Sequence, residues 1–341
     1  MEKELKAYRA CLIHRPKREG FFSIEKVFNQ VITSLKQKIR VEEMYLPYAR
    51  LIPSAVWKNI RAVRKVSADI FHITGDIHYM ALVLPSSKTI LTIHDCGFLH
   101  NTKGIKRWVL KLFFLNLPVR HSRIITTISE RSRNEIIQYS GCSPEKVIIV
   151  PNPVGGVFYF APRAFNEIRP VLLFIGSTPN KNLERVINAL ENISCHLFIV
   201  GWVNEQQIDL LKKKNISFHR FWGLSEQELA DVYAQSDMVL FPSTYEGFGL
   251  PIIEGQKSGR PVITSNISPM KEVAGEGACL VDPLNVASIR AGVERVIQDK
   301  SYREAIIQKG LKNVKQYEAI AIAEKYFQVY KNVIGQGNYD R

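Results

Sequence analysis

Short apolar runs recur along this chain, most of them four or five residues long, each followed by turn residues and a stretch long enough for a helix. In the first half they fall at residues 10–13, 70–73, 89–93, 124–128 and 147–150. In the second half they fall at 171–175, 196–200, 238–241, 261–264 and 278–281, and the more polar 217–221 continues the series. Strands alternating with helices predict α/β architecture, with parallel sheets covered by helices on both faces. Helices are expected around 24–38, from the capping-box spacing of Ser225 and Glu228 to about Ala234, and over 317–334. The alternation breaks at 154–169, which carry Gly155, Gly156 and Pro162 and are closed by Pro170. That stretch reads as a linker. A chain of 341 residues is too long for one comfortable core. Two domains are therefore expected, 1–160 and 161–316, followed by a helix over 317–341.

Ligands of open α/β sheets sit beyond the carboxyl ends of the strands, and three loops there carry chemistry. Residues 246–254, Glu-Gly-Phe-Gly-Leu-Pro-Ile-Ile-Glu, follow the run at 238–241. Pro251 suits a first helical position, which places Glu254 in the opening turn and aims free N–H groups into the loop. Gly247 and Gly249 let the main chain approach an anion closely. Amides at a helix start attract phosphate, whereas carboxylates repel it and suit uncharged polyol hydroxyls. A sugar nucleotide satisfies both. The plainer alternative makes Glu254 a complement to the helix dipole and Glu246 a solvated acid. The second loop, Gly176-Ser177-Thr178-Pro179-Asn180, leads to Lys181 and Asn182 at an expected helix start. A lysine there is either solvated or, because it opposes the dipole, matched by a bound anion. The third loop holds His94 and Asp95. By themselves they read as structural residues.

In this order and spacing, residues 246–254 resemble the paired-glutamate motif of retaining glycosyltransferases of the GT-B fold, in particular family 4. His94-Asp95, Thr127-Ile128-Ser129-Glu130 with Pro151-Asn152-Pro153, Phe174-Ile175-Gly176-Ser177 with Lys181-Asn182, and Ser236-Asp237 match at the corresponding places. The resemblance covers most of residues 70–320. It implies two Rossmann-like, doubly wound domains facing across a cleft, an N-terminal one for the acceptor and a C-terminal one for the nucleotide sugar, with the last helix packed back on the first. The implied activity is transfer of a hexosyl group from a nucleoside diphosphate sugar to an acceptor hydroxyl with retention, in bacterial-type cell-surface polysaccharide or glycolipid synthesis. The implied catalytic residues are Glu246, which would bind sugar hydroxyls and favour positive charge on the ring, and His94, which would reach toward the transferred sugar. The implied donor-binding residues are Gly176, Ser177, Lys181, Gly223, Leu224, Gly247, Phe248, Gly249, Leu250 and Glu254. Among these, Lys181 would offset the diphosphate and Glu254 would hold the ribose. Asn180 stands where the family often has arginine, and 14–20, His-Arg-Pro-Lys-Arg-Glu-Gly, is a basic loop where many members have paired glycines. No Asp-x-Asp occurs, so no metal and no cofactor is expected beside the nucleotide sugar.

Two other classes compete. A sugar-nucleotide epimerase can use the same fold. The formal net charge of +14 suggests a nucleic-acid-binding protein, but no nucleic-acid motif or aromatic-studded basic stripe is present, and no such partner is expected. No run of eighteen apolar residues occurs and the start is charged, which points to a cytoplasmic protein. Cys11, Cys96, Cys142, Cys195 and Cys279 stand singly and read as reduced packing thiols.

The charge is unevenly divided. Residues 1–160 carry 25 lysines and arginines against 12 acids, while 161–341 carry 21 against 20. Lys103, Arg107 and Lys111 recur at four-residue spacing beside a stripe of Ile105, Trp108, Val109 and Leu112. Either this is a core helix with a solvated basic edge or it is an interfacial helix. The second reading expects an anionic membrane surface as a partner, peripheral attachment to the inner face of the plasma membrane, and a lipid-linked or saccharide acceptor.

Overall fold

The computed structural model describes residues 7–16, 23–50, 52–100 and 102–337, so the basic loop at 14–20 lies largely outside it. The chain forms two compact units, Met1–Pro153 with Ala319–Arg341, and Val154–Glu318.

The first unit contains β1 (Arg9–His14), β2 (Arg40–Tyr45), β3 (Ile70–Ile73), β4 (Thr89–Thr92), β5 (Ile124–Thr127) and β6 (Val147–Ile149), all parallel, in the order β2-β1-β3-β4-β5-β6. Successive side chains feed opposite faces of the sheet. Ala10 and Leu12 pack with Ile70 and Ile90 beneath the helices Ser23–Leu35 and Ala319–Gly337, whereas Cys11 and Ile13 join Phe71, Ile73 and Leu91 on the other face. The last helix is also fastened by polar contacts. Tyr330 Oη lies 2.7 Å from Nδ1 of His72, whose Nε2 lies 2.7 Å from Thr92 Oγ1. Burial pushes the His72 imidazole down to about 3, so it stays neutral.

The second unit contains β7 (Val171–Ile175), β8 (His196–Val200), β9 (Ser217–Phe221), β10 (Met238–Phe241), β11 (Val262–Ser265) and β12 (Cys279–Val281), again parallel, in the order β12-β11-β10-β7-β8-β9. Its core joins Leu172 and Phe174 of β7, Leu197 and Ile199 of β8, Leu240 of β10 and the helix Val286–Gln298 through Ile289 and Val293. Residues after Pro153 pack within this unit: Val154 N–H donates to Tyr317 O at 2.7 Å, and the Phe158 ring stands edge-on to Tyr233 at 5.2 Å. The chain therefore changes unit at 153/154 and 318/319, a few residues from the 160/161 and 316/317 expected from the break in alternation and the helical tail.

The five cysteines are free, and all but Cys142 are buried. Among the described residues no helix is long and apolar enough to cross a membrane.

Candidate functional site

In the second sheet the chain begins at β7 in the middle, runs one way to β8 and β9, then jumps to β10 on the other side. This is a topological switch point, where loops leaving two adjacent parallel strands diverge and open a crevice. Lys181 lies in the loop after β7 and Glu246 in the loop after β10. The fold brings them together: Lys181 Nζ is 2.6 Å from Glu246 Oε1, with the ammonium 4.7 Å from the centre of the Phe241 ring.

The glycine at 176 makes this possible. Gly176 has φ 121°, and a Cβ there would run into the Lys181 side chain. Asn180 binds the two loops together. Its carbonyl accepts from Thr244 N–H at 2.8 Å, and its side-chain amide donates to Tyr245 O at 2.8 Å and toward Glu246 Oε1 at 3.4 Å. Asn180 thus holds the glutamate loop. Lys181 ends a short 3-10 turn, Pro179–Lys181, and the helix Leu183–Ala189 begins only after Asn182, which is left-handed at φ 72°. Lys181 is not in a helical first turn, as the sequence had suggested, and its charge is met by Glu246. The Asn182 amide donates to Pro242 O at 3.0 Å and Pro283 O at 2.6 Å, locking that corner. A cavity of about 300 Å³ opens beside this loop, lined by Gly176, Ser177, Thr178, Asn182, Arg185 and Gln207 among others.

Gly249, at φ 112°, leads into the helix Leu250–Lys257, with Pro251 at its start. Glu254 is the fifth residue of that helix, just beyond the opening turn expected for it. Its carboxylate accepts a 2.6 Å hydrogen bond from the Tyr233 hydroxyl. Burial pushes the Glu254 carboxyl up to about 7. The Tyr233 bond and the Lys181 charge oppose that rise, while Glu226 adds to it. The ring of Phe248 is buried against Tyr317, 5.8 Å between centres, so this residue can offer a ligand only its main chain.

Ser177 Oγ accepts from Trp202 N–H at 2.6 Å, which ties the Gly176 turn to the turn after β8. Gly223, left-handed at φ 69°, and Leu224 follow β9, two strands away from β7. They lead into the helix Glu226–Gln235, whose capping box of Ser225 and Glu228 forms as the sequence predicts. Among the described residues no hydrogen bond joins Gly223 or Leu224 to Lys181 or Glu246.

His94 belongs to the first unit. Its Nε2 is 3.0 Å from the Thr74 carbonyl, and the His94 carbonyl accepts from Ser132 Oγ at 2.9 Å. A carbonyl only accepts, so Nε2 carries the proton and Nδ1 is left as an acceptor. Burial pushes the His94 pKa below its ordinary value, keeping the ring neutral. Asp95 Oδ1 accepts from Gly97 N–H at 2.7 Å, so this residue supports the loop. Arg15, the described arginine of the basic loop, pairs with Asp76 at 2.9 Å.

The basic–apolar stripe also resolves. No residue of the helix Gly104–Lys111 is buried, and Ile105 and Trp108 are 84% and 64% exposed. Val109 and, beyond the helix, Phe113 are exposed as well. The core-helix reading is thereby overturned.

Arg185 and Tyr233 have no sequence signal of their own, and Asn182, which the sequence marks only as part of a motif, acts through residues 60 and 101 positions away. Among the described residues no group of three or more histidines, cysteines or acids is arranged to hold a metal ion.

Residues 22–155 match the family model for Glycosyltransferase Family 4, and residues 158–313 match that for Glycosyl transferases group 1. The chain is similar to the O-antigen chain mannosyltransferase B of Escherichia coli, 28% identical over 67% of this chain and 66% of the relative. It is similar to the MMP alpha-(1->4)-mannosyltransferase of Mycolicibacterium hassiacum, 26% identical over 68% of this chain and 59% of the relative. The chain thus spans less than two thirds of the length of these relatives. The crystal structure of Anabaena Alr3699/HepE in complex with UDP and glucose superposes with a TM-score of 0.74 at 13% identity, covering 95% of this chain and all of that one, and so shares the fold.

Proposed function

From the matches to glycosyltransferase models over residues 22–155 and 158–313, we propose that the chain is a family 4 glycosyltransferase that transfers a hexosyl group, mannosyl first among those to test, from a nucleoside diphosphate sugar to an acceptor hydroxyl with retention at the anomeric carbon. One observation carries this reading: a cation and a carboxylate 65 positions apart meet at 2.6 Å at the switch point of the second sheet. Donor binding places the diphosphate against Lys181 and the main-chain amides of 247–250. Glu246 then turns to the sugar hydroxyls and stabilises the positive charge that grows on the ring as the anomeric C–O bond breaks. The acceptor oxygen bonds to the anomeric carbon and its proton leaves with the diphosphate. Glu254 holds the ribose hydroxyls. His94 offers Nδ1 to a hydroxyl of the transferred sugar. Lys181 takes the place of a divalent ion on the leaving group, in keeping with a sequence that lacks Asp-x-Asp.

The acceptor we propose is lipid-linked. The first domain carries nearly all the net positive charge and exposes Ile105, Trp108, Val109 and Phe113 beside Lys103, Lys106 and Arg107. An apolar strip flanked by cations fits the headgroup region of an anionic leaflet. On this reading the enzyme works at the inner face of the plasma membrane.

A thermal-shift panel of GDP-mannose, UDP-glucose and ADP-glucose tests the donor assignment. A nucleotide sugar at about a hundred times its dissociation constant adds about 2.7 kcal/mol of stability. One of the three is expected to raise the melting temperature, and none doing so would count against this reading.

A further inference from the structure

We propose that Tyr233 is a positioning residue of the nucleotide site, holding the Glu254 carboxylate in the ionised, correctly aimed form that accepts the ribose hydroxyls. The proposal rests on the reading of Glu254 as a ribose ligand and adds to it a residue that touches no substrate. Tyr233 is fully buried in the helix Glu226–Gln235, and its ring is fixed edge-on by Phe158. That buried hydroxyl is a donor to one oxygen of Glu254, Oε2, at 2.6 Å. A carboxylate is an acceptor only, so a donor on Oε2 orients the group and leaves Oε1 for a ligand.

The charges facing Glu254 are few. Glu226, on the same helix as Tyr233, disfavours its ionisation, Lys181 from the loop after β7 favours it, and burial disfavours it most. The tyrosine hydroxyl favours the anion, because a hydrogen bond to a charged acceptor stabilises the charged form. Without it the carboxyl takes up its proton at higher pH. A protonated Glu254 can no longer accept from two ribose hydroxyls.

The experiment follows Glu254 directly. The protein is labelled with carboxyl-13C glutamate, and the Glu254 resonance is assigned by its loss in Glu254→Gln. It is then titrated in wild type and Tyr233→Phe. A charge-assisted hydrogen bond corresponds to about one to two pH units, so the midpoint is expected to rise by that much in Tyr233→Phe. An unchanged or lower midpoint overturns the proposal. Should Tyr233→Phe not fold, 3-fluorotyrosine encoded at position 233 donates more strongly and must lower the midpoint; no change there is equally fatal. Binding supplies the second readout, with GDP-mannose or UDP-glucose, whose pyrophosphate diesters do not titrate near neutrality. In Tyr233→Phe the affinity is expected to fall about tenfold at pH 7 and to return to within about twofold of wild type at pH 9. An equal loss at both pH values means a structural defect and contradicts the proposal. Glu254→Gln separates the two ideas. If it leaves affinity intact, Glu254 is not a ribose ligand. If it weakens binding while Tyr233→Phe moves neither midpoint nor pH profile, only the role of Tyr233 fails.

Discussion

Lys181 and Glu246 neutralise one another across the switch point, Nζ to Oε1 at 2.6 Å, so neither charge can be removed without stranding the other. In the proposed reaction the same pair divides the work, the ammonium meeting the leaving group and the carboxylate the sugar. The pairing keeps both side chains in place, partly buried.

Lys181→Ala should therefore act mainly on turnover. Losing a charge-assisted contact to the departing diphosphate costs about 1.5–3 kcal/mol, or about 10- to 150-fold in kcat/KM. Steady-state kinetics with the stabilising nucleotide sugar check this, and a change below threefold would remove Lys181 from the site.

Glu254 should tie stability to pH. Its carboxyl titrates near 7 in the fold and near 4.5 otherwise, so between these values the folded chain keeps a proton that the unfolded chain has lost. Stability then falls as pH rises through that window and is flat above it. Glu254→Gln removes the burden, and its advantage over wild type should grow from pH 5 to pH 8, up to about 3 kcal/mol. Thermal melts at both pH values decide it; an equal difference at the two would contradict the assignment of a raised carboxyl.

Most of the sheet was legible because buried parallel strands are short apolar runs, as at Leu172–Phe174 or Ile90–Leu91, each ended by turn residues. β2 was not legible. Its sequence, Arg-Val-Glu-Glu-Met-Tyr, lies on the sheet edge with half its residues exposed and none buried, and needs no apolar run. In the site, the motif residues Lys181, Glu246 and Glu254 could be singled out by local chemistry. Their partners' roles could not: Asn180, Asn182 and Tyr233 act through contacts 21 to 101 positions away. Spacing likewise revealed two stripes at 103–112 but not which surface they meet, because an apolar stripe needs only something to pack on.

Liposome flotation bears on that exposed helix. Binding to anionic vesicles and not to neutral ones is expected, weakened by salt and by Lys106→Glu with Arg107→Glu, each cation contributing about 1 kcal/mol. Trp108→Ser should weaken it without changing its salt dependence. Equal binding to both vesicle types at low salt would favour a soluble acceptor.

EDTA should leave the rate unchanged if, as proposed, Lys181 supplies the positive charge in a chain that has no Asp-x-Asp. Strict dependence on added Mn²⁺ or Mg²⁺ would overturn that expectation.

The most direct measurement of the central claim compares donor affinity with turnover in Glu246→Gln and Glu254→Gln. Glu246→Gln should keep donor affinity within about threefold while kcat falls by about a hundredfold or more, the signature of an interaction made in the transition state. Glu254→Gln should weaken donor binding. Wild-type rates and affinities in both variants would show that the switch-point glutamates do not form the donor site.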